Sequence, residues 1–351
     1  MNTVLSWTPS PYTIIIPARD ESERIYHAIQ SCKQQTLKPK QIIVIDDCST
    51  DGTERIARAE GVKVLRSSTR LGSKAKAQNY ALPYVQTKYV IAIDADTLLE
   101  KHVADILVHT MNENKVIGAC TWVMTQKQNT LWQKARTVEY NFAFAWFKRV
   151  QDWVFKTPLI CSGCCNIFKT STLKWLGGYP TDNLAEDMNL TAIIHEKQIG
   201  RIRFVPEAIA YTDDPATFKH MSAQLSRWSS AYFENIRKHL KLLWRTNKRA
   251  WSCMFIGLVD SLAGSILYYL IMILIGLYFG WKWTIFSIAI DLFMIGTLAA
   301  YGARRFEMSL KMFKWLPQLF ILRIINSYYF VKYFIITGIL NRSLTTYVKG
   351  H

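Results

Sequence analysis

Past Trp251 the chain changes character, and that change constrains its fold more than any other feature. Three long apolar stretches follow, at about 251–279, 281–302 and 316–340. Each is long enough for a hydrocarbon core of about 30 Å at roughly 1.5 Å per residue. Up to about residue 236 the sequence instead alternates short apolar runs with charged stretches, as a soluble α/β domain does. The expected organisation is a soluble domain at 1–236, a basic juxtamembrane or interfacial helix at 237–250, and a membrane domain at 251–351 with about three helical spans.

The charge fits that division. Of the formal net +17, six residues cluster just before the first apolar stretch: Arg237, Lys238, Lys241, Arg245, Lys248 and Arg249. No acid lies among them, so they read as a positive-inside anchor against anionic headgroups; a solvated helix face is the plainer alternative. Nucleic acid is not an expected partner, because the aromatics lie in apolar runs and no recognition module is present. The loop at 303–315 carries Arg304, Arg305, Lys311 and Lys314 against Glu307. With 237–250 cytoplasmic, two spans return this loop to the same side. A third crossing would take the C-terminus across, unless Arg323 and Lys332 hold that stretch in the interface. The expected location is a cell or plasma membrane with the soluble domain cytoplasmic. Asp260 and Asp291 fall inside spans, where acids line polar paths or sit near headgroups.

In the soluble half, apolar runs at Tyr12–Pro17, Gln41–Ile45, Val62–Leu65 and Tyr89–Ile93 read as buried strands. Helical periodicity falls between them at Ser22–Gln35, Thr53–Ala59 and Lys74–Val85. Alternating strands and helices imply a mostly parallel, Rossmann-like sheet covered on both faces, with ligands at the carboxyl ends of the strands. Asp46-Asp47 and Asp94-Ala95-Asp96 stand at two of those ends. Turn and helix-cap duty would be the plainer role for Asp46, Asp47 and Asp51. The hard oxygens of Asp94 and Asp96 suit Mg²⁺ or Mn²⁺. The seven cysteines form neither a paired framework nor a zinc knuckle pair and read as free thiols. Thr13–Ile16 is too short for a signal peptide and runs straight into a polar loop. The aromatics from Trp132 to Phe155 suggest a helix near the membrane surface, or core filling.

The motifs occur in a set order. Pro17-Ala18-Arg19-Asp20-Glu21 comes first, then Asp46-Asp47 with Asp51-Gly52, then Gly72-Ser73-Lys74. Asp94-Ala95-Asp96, Ser162-Gly163-Cys164, Glu186-Asp187 and Gln224-Leu225-Ser226-Arg227-Trp228 follow. This series resembles the family 2 inverting glycosyltransferases, and is similar to the membrane synthases of hyaluronan, chitin, cellulose and poly-N-acetylglucosamine. The likeness covers about residues 12–235. It implies a GT-A-type domain followed by helical spans, a nucleotide-sugar donor (a UDP-sugar, with UDP-N-acetylglucosamine a candidate) and Mg²⁺ or Mn²⁺.

Carried over by position, the resemblance implies that Pro17, Ala18, Glu21, Asp46 and Asp47 embrace the uridine. Lys74 approaches the diphosphate, Asp94 faces ribose and donor sugar, and Asp96, with Asp94 beside it, holds the metal. Asp187, next to Glu186, is the general base, and Arg227 stabilises the departing diphosphate. Ser162, Gly163, Cys164 and Gln224 line the acceptor site, where Trp228 stacks on the sugar. Standing alone, Lys74 would read as a surface lysine and Trp228 as packing.

The chain departs from the larger synthases in two ways. No spans precede the soluble domain, and Thr345–Lys349 stands where a Trp-containing gating segment would be, without the Trp. Two acceptors therefore stay open: a growing β-linked polysaccharide, or a membrane lipid that receives one sugar. A non-catalytic scaffold is disfavoured because every acidic position in the series is filled. Oligomeric state is open, a homo-oligomer included.

Overall fold

The computed structural model describes residues 10–344; the Thr345–Lys349 segment lies outside the described residues. An eight-stranded sheet organises the soluble half, in the order β3-β2-β1-β4-β7-β6-β8-β5. The strands are β1 (Tyr12–Ala18), β2 (Gln41–Asp46), β3 (Lys63–Arg66), β4 (Tyr89–Ile93), β5 (Thr97–Leu99), β6 (Val116–Thr125), β7 (Cys165–Lys169) and β8 (Arg201–Thr212). Helices α1 (Ile25–Lys33), α2 (Thr53–Ala59), α3 (Lys74–Ala81) and α4 (Val103–Thr110) cover the first half. The second half carries α5 (Leu131–Ala145), α6 (Phe147–Val150), α7 (Thr170–Trp175), α8 (Glu186–Lys197) and α9 (Phe218–Thr246).

The sheet is mixed. β3, β2, β1 and β4 run parallel. β1, β2 and β4 carry the unbroken apolar sequences of strands buried on both faces, whereas β3, at the edge, is only half-buried rather than the buried strand its apolar residues suggest. β7 then enters antiparallel between β4 and β6, while β6 and β8 pair parallel and β5 runs antiparallel at the edge. That inversion positions the site. Because β7 runs against β4, its first residue Cys165 pairs with Ile93, the last residue of β4. The preceding segment, residues 162–164, therefore lies across the ligand end of the sheet.

Two helices differ from their sequence patterns for a physical reason. The stretch from Ser22 begins its α-helix only at Ile25, because residues 22–24 form a tight turn in which Arg24 N and Ile25 N both donate to Glu21 O (2.9 Å each). Lys74–Val85 is α-helical only to Ala81, and tightens into a 3₁₀ turn where Pro83 follows.

α9 spans 29 residues without a break, carrying both Gln224–Trp228 and the basic residues Arg237, Lys238, Lys241 and Arg245, while Lys248 and Arg249 open the next helix. Two of the basic residues, though exposed, bond back to the protein: Arg237 donates to Thr337 O (2.8 Å), and Lys238 pairs with Asp182 (2.5 Å). Asn247 then caps the next helix by accepting from Ala250 N (3.1 Å).

Three helical stretches, Lys248–Phe279, Trp281–Phe306 and Leu316–Ile339, are long and apolar enough to cross a membrane, with mean hydropathy 2.1, 1.8 and 1.4. They comprise α10 (Lys248–Leu262), α11 (Tyr268–Phe279), α12 (Trp281–Ala303) and α14 (Leu316–Tyr333), with the short α13 (Ser309–Lys314) before the last. Each stretch contributes one member of an ion-pair cluster. Asp291 pairs with Arg323 and accepts from Tyr268 Oη (3.0 Å). The basic loop between the second and third stretches docks on the soluble domain. Arg305 lies over the Trp122 ring (3.8 Å) and donates to Pro206 O, while Met308, Met312 and Trp315 join the core around Trp122. The loop and the sheet thus share one side.

Candidate active site

Lys74, the first residue of α3, is the hub. Ser73 caps that helix and Gly72, at φ +79°, makes the turn into it. The Lys74 ammonium lies 2.5 Å from Asp94 Oδ1 and 3.4 Å from Glu186 Oε1, and donates to Gly163 O (2.8 Å). Burial alone would discharge it, but Asp94, Glu186 and Asp187 together raise its pKa and keep it an ammonium. Glu186 is buried and its pKa is raised, first by desolvation, with Asp187 and Asp94 adding to the effect and Lys74 opposing it.

Asp187 sits in the first turn of α8, where the helix dipole favours a negative charge. One oxygen accepts from Gly163 N (2.9 Å) and the other from Met188 N (2.8 Å). A carboxylate has about four acceptor positions, so a substrate hydroxyl can still be received. Gly163 joins the two halves: its carbonyl meets Lys74 and its N–H meets Asp187. A methyl group on Gly163 would come within 3.0 Å of Lys74 Nζ and 3.1 Å of Asp187 Oδ2. Asp94 N in turn donates to Cys164 O (3.1 Å). The structure therefore gathers Lys74, Asp94, Gly163, Cys164, Glu186 and Asp187 into one place. Ser162, beside them, receives a hydrogen bond from Lys148 Nζ.

The ends of β1 and β2 build the adjoining wall. Pro17 and Ala18 lie beyond the residues of β1 that pair with β4, so the missing Pro17 N–H breaks no ladder there. Asp47 N donates to Ala18 O (2.9 Å), and the Asp47 carboxylate accepts from Leu71 N (2.5 Å) and Gly72 N (3.2 Å). Asp47 thereby holds the turn that leads into Lys74. Asp46 is fully buried and makes an ion pair with Arg66 (3.1 Å). Glu21, also buried, lies 3.5 Å from Arg24. Burial works against ionisation of Asp51, but hydrogen bonds from Thr53 and Ser22 hold its carboxyl well below the usual range.

Gln224 and Trp228, one helical turn apart on α9, share a partner that sequence reasoning missed. Arg136 of α5 is fully buried; its Nη2 donates to Gln224 Oε1 (2.8 Å) and its guanidinium lies 4.9 Å from the Trp228 ring centre. Arg227 is half-buried on the same face of α9. Asp213 and Asp214, at the end of β8, were also missed. Asp213 pairs with Arg24 (3.0 Å), and Asp214 accepts from Tyr140 Oη (3.0 Å). Burial pushes the Asp214 carboxyl up to about 7 against the pull of Arg136. A second Asp following the β8 apolar run was the available signal; Arg136 offered none.

Asp96 is half-buried in the turn between β4 and β5, with its own carbonyl held by Gln126 Nε2 (2.6 Å). Among the described residues no three His, Cys, Asp or Glu side chains converge as a metal cage. Asp94 Oδ1 is engaged by Lys74, so Asp96 would be the main protein oxygen donor to a cation here, and the rest of the shell would be ligand oxygens. That donor set fits Mg²⁺ or Mn²⁺, which take few protein carboxylates and bind substrate phosphates.

Two poly-β-1,6-N-acetyl-D-glucosamine synthases are similar in sequence. The Staphylococcus epidermidis protein is 25% identical over 265 residues, covering 74% of this chain and 63% of the relative. The Staphylococcus aureus (strain COL) protein is 23% identical over 268 residues, covering 75% and 64%. The alignments thus span somewhat under two thirds of these relatives. Among solved structures, a mannosyltransferase from Pyrobaculum calidifontis, in complex with GDP-Man and Mn²⁺, matches with TM-score 0.57 at 18% identity, covering 90% of this chain and 87% of the other. S. aureus TarS 1-349 matches with TM-score 0.50 at 17% identity, covering 93% and 91%. Residues 13–176 match the glycosyl transferase family 2 domain, and the sheet and the placement of the acidic motifs agree with that match.

Proposed function

We propose that the protein transfers a sugar from a UDP-sugar onto a growing β-linked polysaccharide at the membrane, with inversion at the sugar carbon. The observation that carries this reading is the Lys74 cluster: one ammonium bound to Asp94 and Gly163, and one carboxylate, Asp187, held through Gly163.

Asp46, Asp47 and the Pro17–Glu21 loop hold the nucleoside, and Lys74 orients the diphosphate while Asp94 faces ribose and sugar. Asp187 takes the proton from the acceptor hydroxyl as its oxygen bonds to the sugar carbon. The bond from that carbon to the diphosphate breaks on the opposite face, and Arg227 and Lys74 stabilise the charge that leaves. Asp96 would hold a Mg²⁺ or Mn²⁺ ion, whose charge would further neutralise the diphosphate. Ser162, Gly163 and Cys164 line the acceptor side, where Trp228 offers a ring for a sugar to stack on.

The names of the curated relatives support N-acetylglucosamine as the sugar, and the GDP-Man and Mn²⁺ of the Pyrobaculum calidifontis complex support a nucleotide-sugar donor with a divalent cation. The basic 303–315 loop on the sheet's side supports a cytoplasmic catalytic face.

The test is turnover of radiolabelled UDP-sugars, with GDP-mannose alongside, by the purified chain with Mn²⁺ or Mg²⁺. Products are sized on gels and by lipid extraction. A ladder from one UDP-sugar is the expected result. A single labelled lipid band would move the acceptor to a membrane lipid, and no binding or turnover of any donor would end the proposal.

A further inference from the structure

Arg136 lies outside the motif series, yet it is one of the largest fully buried side chains of the protein. A guanidinium cannot lose its charge, so burial requires partners on every side. α5 places it among them. Thr130 caps this helix in a reciprocal box with Gln133, and Gln133 Nε2 donates to Asp214 O (3.3 Å), which fixes the helix against the end of β8.

One turn of α5 then divides its contacts three ways. Toward α9, Arg136 holds Gln224 and lies under the Trp228 ring. Toward β8, Asp214 Oδ1 lies 3.8 Å from its Nε. Toward the membrane, Arg136 pairs with Glu139, and Glu139 Oε1 accepts from Asn326 Nδ2 of α14 (2.7 Å). The apolar contacts repeat the same meeting of three helices, with Ala135 of α5, Met221 and Leu225 of α9 and Leu322 of α14 in one cluster.

We infer that Arg136, Glu139 and Asn326 form a polar strut that ties the third membrane helix to the Gln224–Trp228 acceptor platform. This rests on the reading of the site given above. Arg136 and Asn326 are positioning residues: they set the height and tilt of the Trp228 ring without touching donor or reacting atoms. Without the strut the ring loses the cation beneath it, and α14 loses a polar hold on α5. Displacement of a reacting group by about 1 Å can slow a reaction on the order of 100-fold, whereas the nucleotide wall at β1 and β2 shares none of these contacts.

The experiment uses the full chain in lipid nanodiscs with radiolabelled UDP-N-acetylglucosamine and Mn²⁺. Two quantities are read: UDP affinity, and the ratio of sugar transferred to sugar released into water. The variants are Asn326→Leu, Asn326→Gln and Arg136→Gln. The inference expects Asn326→Leu and Arg136→Gln to lower the ratio at least about tenfold, with UDP affinity within about twofold, and Asn326→Gln to recover most of the loss. An unchanged ratio in Asn326→Leu overturns it. So does a parallel loss of UDP affinity in Asn326→Leu, which would mean general unfolding. A wild type that binds UDP and only hydrolyses the donor overturns the strut alone, since no acceptor would then be held. A wild type that fails to bind UDP overturns the reading of the site and the strut with it.

Discussion

On the proposed function the site has a donor half and an acceptor half, and the two are built by different means. The donor wall, at β1, β2 and α3, consists of strand ends and the loops that directly follow them, and neighbouring loops bond to one another: Asp51 to Ser22, Asp47 to Leu71 and Gly72. The acceptor side draws on α5, α9 and α14, whose contacts join residues far apart in the chain: Arg136 to Gln224, and Glu139 to Asn326. A pocket for a fixed chemical group can be made locally and rigidly. A platform for an acceptor at a membrane must be braced against the elements that enter the membrane. Gly163 is the seam, bonded to Lys74 on one side and to Asp187 on the other.

That division can be broken most sharply at the hub. Lys74→Met leaves Asp94, Glu186 and Asp187 as neighbouring acids with no cation between them. Transfer should fall at least about 100-fold, and UDP affinity with it, because the diphosphate loses its partner; a purified variant with normal UDP affinity would detach Lys74 from the donor.

The seam comes next. Gly163→Ala must push the Lys74 ammonium and the Asp187 carboxylate apart by a few tenths of an ångström. Transfer should drop about tenfold or more while unfolding temperature barely moves, read by activity and a thermal melt on the same sample.

The donor wall alone is tested by Asp47→Ala. It removes two hydrogen bonds to the turn before Lys74, and charge-assisted bonds contribute about 1.5–3 kcal/mol each. UDP should bind about tenfold or more weaker by calorimetry, with the transfer-to-hydrolysis ratio unchanged. A changed ratio would blur the two halves into one.

On the acceptor side, Asp214 gives a pH signature. Its folded carboxyl is pushed up to about 7, above the unfolded value, so the folded state holds the proton more tightly. Stability should therefore be highest at low pH in this window and fall as pH rises from about 4 to about 7. Asp214→Asn should flatten that slope in melts taken across the window. The smallest effect is expected from Lys148→Met, which removes the hydrogen bond to Ser162. A loss of roughly 1 kcal/mol corresponds to about a fivefold weaker acceptor interaction, visible as a shift in acceptor concentration dependence with UDP binding intact.

The same contrast explains what was legible beforehand. β1, β2 and β4 are apolar runs followed by acids, so both the strands and the clustering of acids at their carboxyl ends could be read from local pattern. The antiparallel entry of β7 could not, because pairing partners depend on tertiary context rather than on periodicity. Yet that inversion is what carries residues 162–164 to Asp94. Gln224 and Trp228 were visible as a motif, but their partner Arg136 was not. A basic residue in an aromatic-rich helix gives no sign of which side chains it will meet. Asp291 and Arg323 were each noticed as charges in apolar stretches, and their pairing became visible only when the spans were brought together.

If Asp187 is the base of a transfer from a UDP-sugar, Asp187→Asn removes the group that accepts the hydroxyl proton. The amide keeps the shape and one acceptor oxygen but cannot take the hydroxyl proton. With Mn²⁺ and the donor that the wild type uses, UDP affinity should stay within about twofold while transfer falls by about 10²–10⁴-fold. Transfer at the wild-type rate by a variant that still binds UDP would contradict that role for Asp187.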